Sequence, residues 1–288
     1  MAERVKDMTK GRPAGLIIGF ALPLMLGNVF QQLYTMVDAI VVGKGVGVEA
    51  LAALGAADWP NWLVTGLVIG FTQGFSIRIS QHFGAEDWEG LRKTVATSVI
   101  LTAGIAVIFT ALSLSLSRFV LVQLDTPANV FSNSLLYLRI IFGGIPIILG
   151  YNVLSAILRA LGDSRTPLSA MVIAACINIV LDLVFVMVFH WGVAGAAIAT
   201  VFAQFCSCVF CFFAVRRISF LKMEKKDWRI DWRKIWDLVK LGSPTAFQNG
   251  VIGVGGLAVQ YVINGFGFLY VAGFTATNKL YAILEIAA

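Results

Sequence analysis

Asn178 and Asp182 stand one helical turn apart in the run CINIVLDLVF, whose other residues are apolar. At that spacing both side chains leave a helix on the same face. The amide can donate to the carboxylate, and the oxygens of both can ligate a hard cation such as sodium or share a titrating proton. A third acid, Asp38, follows Asn28, Gln31, Gln32, Tyr34 and Thr35 in another apolar run. The spacing of Gln31, Tyr34 or Thr35, and Asp38 gives that helix a polar stripe. An ionisable group deep in an apolar segment is costly and is kept facing a cavity or a partner. The alternative role is structural, since polar side chains also tie helices together by hydrogen bonds. Glu285 is a further acid of this kind, and Asp58-Trp59-Pro60 stands either near an outer interface or at a break in its span. Arg139 either pairs with one of these acids or snorkels to the surface.

The segments that must position these groups are membrane helices. Of 288 residues, 58% are hydrophobic and 13% charged, about half the charge density of an ordinary soluble domain. Apolar runs of spanning length fall at 16–42, 52–77, 94–117, 133–157, 168–189, 193–215, 240–264 and 268–288. Lysines and arginines set the orientation. With the N-terminus inside, inner segments hold Arg4, Lys6, Lys10 and Arg12, then Arg78, Arg92 and Lys93, then Arg159 and Arg165, then nine basic residues from Arg216 to Lys240; outer segments hold Lys44 and Arg118. The net charge of +6 therefore reads as attraction to the anionic inner leaflet and not to nucleic acid. Trp228, Trp232 and Trp236 recur every four residues in the polar stretch 216–239, the pattern of a basic helix lying in the interface.

The chain repeats itself. Ala21-Leu22-Pro23 has a counterpart in Gly242-Ser243-Pro244, and at the same offset of 221 residues the run from Ala50 to Ala56 lies over Val271 to Thr277. Six spans precede the second copy, so both copies share one orientation, as in parallel transporter repeats. The sequence is expected to hold a six-helix unit over 1–215, a basic linker over 216–239 and the start of a second unit over 240–288, cut short within an apolar helix. Pro23 and Pro146, beside Gly19, Gly27, Gly143 and Gly144, are expected to interrupt two helices. Enzyme signatures are missing: His82 and His190 are the two histidines, the four cysteines lie in apolar runs, and Gly250 to Gly256 lacks the ending of a phosphate loop.

The order PLMLGNVFQQLYTMVDAIVVG, RALGDSRTP, INIVLD and GVAGAAIAT resembles the multidrug and toxic compound extrusion (MATE) family along the whole chain. The resemblance implies an all-α polytopic fold of twelve helices in two six-helix lobes, of which this chain covers the first lobe and helices seven and eight. It implies antiport, in which cationic amphipathic compounds leave the cell as sodium ions or protons enter, by a full-length monomer in the bilayer of a bacterial plasma membrane without other cofactors. The family's coupling-ion positions are matched by Asp38, Asn178 and Asp182, with Gln31, Gln32, Tyr34 and Thr35 as candidate cavity-lining residues. RALGDSRTP is the family's cytoplasmic turn, where Arg159, Asp163 and Arg165 fix the loop. Two competing readings are a flippase for lipid-linked oligosaccharides, which would favour a basic cavity, and a non-transporting membrane scaffold.

Overall fold

The computed structural model describes residues 12–285, all of them in helices or short connections. Among the described residues nine α-helices follow in order: α1 (Pro13–Gly45), α2 (Val48–Gly84), α3 (Trp88–Gln123), α4 (Ala128–Gly143), α5 (Ile145–Ala160), α6 (Arg165–Asp182), α7 (Gly192–Arg216), α8 (Trp232–Asn264) and α9 (Phe268–Glu285). Among the described residues six helices are long and apolar enough to cross a membrane, and α4 with α5, bent by 48°, makes a seventh. The span expected over 268–288 falls on α9, which over its described residues does not reach the hydropathy of those seven.

Local chemistry sets the breaks. Pro146 has no N–H for the carbonyl four residues back, so the span expected over 133–157 parts at Gly144 into α4 and α5. Pro23 and Pro60 leave α1 and α2 continuous, which corrects the expectation of an interruption at Pro23 and, of the two readings of Asp58-Trp59-Pro60, does not support the break. Neighbouring turns hold a single helix together across one missing bond. Between α1 and α2 the backbone reverses at Gly47, φ 122°, a conformation that a Cβ would strain. Asp87 caps α3 by accepting from the Gly90 N–H at 2.9 Å. Directly after Asp182, residues Leu183–Val188 widen into a π-helical stretch.

The three linker tryptophans do not share one helix, contrary to the four-residue reading. Trp228 ends a short 3-10 turn, Arg229 to Asp231 are extended, and α8 starts at Trp232. The reason lies in the polar anchors. Asp227, fully buried, accepts from the Glu224 N–H at 2.9 Å and pairs with Arg92 of α3 at 3.4 Å, while Asp231 caps α8 through the Arg233 N–H.

Packing follows membrane logic. The buried set is rich in alanine, whereas Val107, Phe213 and Phe247 turn outward at 70%, 53% and 75% exposure. Close approach of small residues, and not burial of large ones, holds such a bundle together. α2 is its centre and lies along α8. A side chain at Gly70 or Gly74 would run into the backbone of Ala246 or Gly242. The repeated runs also meet each other: Ala52, Ala53 and Ala56 pack against Val271 and Ala272.

Candidate functional site

α6 packs along α1, and this brings Asp182 into electrostatic reach of Asp38. Both acids are buried, Asp182 completely, and Asn178 one turn before it is 1% exposed. The Asn178 amide nitrogen donates to the Thr200 hydroxyl of α7 at 3.4 Å. Four acceptor oxygens then remain buried without a hydrogen-bond partner: Asp38 Oδ1, Asn178 Oδ1 and both carboxylate oxygens of Asp182. Buried acceptors without donors are costly. A cation or shared protons would offset that cost, and an all-oxygen set suits a hard cation. Among the described residues no three His, Cys, Asp or Glu side chains gather as a metal-ion group.

The candidate lining residues divide. The Tyr34 hydroxyl lies near the side chains of Gln31 and Gln204 and within the field of Asp38 and Asp182. Gln32 and Thr35 instead bond to each other, the Thr35 hydroxyl donating to the Gln32 carbonyl at 2.9 Å and to its side-chain oxygen at 3.2 Å. Three neighbours escaped the sequence reading: Tyr137 of α4, within reach of Asp38 and Asp182, and Thr200 and Gln204 of α7. The last two sit at the same four-residue spacing as Asn178 and Asp182, in an otherwise apolar run. That spacing was the available signal.

Other polar groups have structural settings. Asp163 accepts from the backbone N–H groups of Arg165 and Thr166 at 3.1 and 3.0 Å, and Arg159 donates to Ser155 at 2.9 Å. Arg139 is exposed and joins none of the ion pairs among the described residues. The Glu285 side chain lies outside the described residues.

A family model described as MatE matches residues 23–184. The "Probable multidrug resistance protein YpnP" of Bacillus subtilis (strain 168) is 32% identical over 287 residues, which are 98% of this chain and 63% of that protein. The "Probable multidrug resistance protein YoeA" of the same organism is 28% identical over 277 residues, 93% and 60% of the two chains. A solved inward-facing conformation of a multidrug resistance MATE family transporter of the MOP superfamily matches with a TM-score of 0.79 at 28% identity, covering 91% of this chain and 60% of that one. The chain thus spans less than two thirds of the length of these relatives.

Proposed function

The chain belongs to the MatE family, and from that premise we propose that the protein exports cationic amphipathic compounds across a bacterial plasma membrane in exchange for sodium ions or protons. The observation that carries this reading is the set of four unpartnered buried oxygens on Asp38, Asn178 and Asp182. Two acids on two helices, with no base of α1–α7 ion-paired to either among the described residues, form a site that a cation or proton can fill and leave. The distribution of basic residues supports a cytoplasmic N-terminus.

Coupling follows from charge. With the site filled, α1 and α6 approach without repulsion between Asp38 and Asp182; emptied, the two carboxylates push the helices apart. Pro23 leaves the Gly19 carbonyl without its helical donor, so α1 can bend there at low cost. A cationic substrate that favours one arrangement then changes the affinity for the coupling ion, and the ion changes the affinity for substrate by the same factor. Residues 1–215 form the unit that holds the site, 216–239 the linker and 240–288 the start of the opposing unit, and the protein works as a monomer.

The test is export of a cationic dye by the protein in cells lacking their own pumps, under imposed sodium and pH gradients. Asp38→Asn and Asp182→Asn are expected to abolish gradient-driven export at unchanged membrane abundance, and the gradient that drives the wild type identifies the ion. Export indifferent to both substitutions would overturn the site.

A further inference from the structure

Lys279 of α9 places its ammonium 3.1 Å from the Asp58 carboxylate of α2. The two residues are 221 positions apart, the offset of the internal repeat. They lie two residues beyond the repeated small-residue runs, which themselves pack against each other through Ala52, Ala53, Ala56, Val271 and Ala272. Equivalent positions that touch each other must straddle the axis relating the two copies. At that axis the first copy carries an acid and the second a base.

α9 packs against α1 as well as α2, and the charges of both Lys279 and Asp58 act on Asp38. The ionisable groups facing Asp38 among the described residues are Tyr34 on α1, Asp58 on α2, Tyr137 on α4, Asp182 on α6 and Lys279 on α9. Lys279 is the cation of this group, and it comes from the second copy.

We propose that Lys279 is a positioning residue for the Asp38 site: held at Asp58, it is a built-in counter-charge from the opposing unit that weakens binding of the coupling cation. The inference rests on the coupling-site reading above and adds that the second unit sets the affinity of the first. Asp58 keeps the ammonium at a distance by engaging it. Movement of α9 away from α2 would carry the counter-charge off and tighten the site, so cation occupancy and the separation of the two units are linked and reciprocal.

The two partners of an ion pair with a purely structural role would disturb the protein alike when neutralised. Here the signs oppose. Lys279→Gln removes the counter-charge and should lower the half-saturating cation concentration by about three- to tenfold, the scale of one unit charge acting through a partly polar interior. Asp58→Asn removes an acid near Asp38 and releases the ammonium toward it, and should raise the same quantity. Lys279→Arg keeps the charge and should restore wild-type behaviour. The experiment is dye export by the membrane-reconstituted protein, against sodium at fixed pH and against pH at fixed sodium. Shifts of Lys279→Gln and Asp58→Asn in one direction, or no shift in either, would overturn the role of Lys279 while leaving the coupling site standing. A wild type that responds to neither cation would overturn the site itself, and the role of Lys279 with it.

Discussion

The Asn178 side chain donates from its nitrogen to the Thr200 hydroxyl at 3.4 Å, and its oxygen stays buried without a donor. One contact between α6 and α7 thus decides which end of the amide a cation meets. Thr200→Val removes the acceptor while keeping the shape, and the amide can then turn its nitrogen inward. Sodium or proton dependence of export is expected to weaken by about tenfold, the usual scale for losing a group that orients a ligand. Thr200→Ser should behave as wild type. An unchanged cation dependence in Thr200→Val would show that Asn178 is held by packing alone.

The glycines of α2 make a prediction about assembly. Gly70 faces the Ala246 backbone with no room for a Cβ, so Gly70→Val must drive α2 and α8 apart. A loss of at least about 1–3 kcal/mol is expected from such overpacking. Thermal unfolding followed by size-exclusion chromatography in detergent would record it. Gly104 of α3 has open space around its would-be Cβ, and Gly104→Ala should leave the same melting profile in place. Equal effects of the two substitutions would contradict the close contact of α2 and α8.

Much of this arrangement is legible in the sequence because membrane helices announce themselves by length and hydropathy. Asp38, Asn178 and Asp182 stand out for the same reason: polar groups are conspicuous where nearly everything else is apolar. Thr200 and Gln204 escaped because single hydroxyl and amide residues are ordinary in such helices, and only the packing of α7 against α6 and α1 brings them to the site. The tryptophan periodicity misled because spacing alone ignores competition from caps; Asp227 and Asp231 cut the segment where a continuous helix was expected. Lys279 could be placed in a span, but its pairing with Asp58 depends on how two distant copies meet.

Asp163 yields a prediction about the turn between α5 and α6. Its carboxylate satisfies two backbone N–H groups at the start of α6 while itself 5% exposed. Asp163→Ala leaves those donors without an acceptor and is expected to cost about 1–2 kcal/mol, as loss of an N-terminal helix cap does. Asp163→Asn retains one acceptor oxygen and should recover most of the stability. Because the residue sits far along α6 from Asn178 and Asp182, the cation dependence of the surviving protein should not change. A shift in that dependence at unaltered stability would assign Asp163 to the transport path.

Asp87 makes the corresponding turn before α3 sensitive to acid. The Gly90 N–H first, and then His82 at 2.9 Å, favour the ionised carboxylate and hold its pKa below the ordinary range. A carboxyl that is more acidic folded than unfolded stabilises the fold at pH values above its unfolded pKa of about 3.9. That contribution fades as pH falls from the unfolded value through the lower folded one, because the unfolded carboxyl takes up its proton first and below the folded value both states are protonated. Asp87→Ala should therefore melt below the wild type at pH 7, and the gap should narrow as pH is lowered past about 4. His82→Ala should reproduce only part of the gap, since the backbone bond from Gly90 remains. A gap that is constant from neutral to acid pH would mean that the Asp87 charge contributes nothing and that the neutral side chain caps α3 equally well.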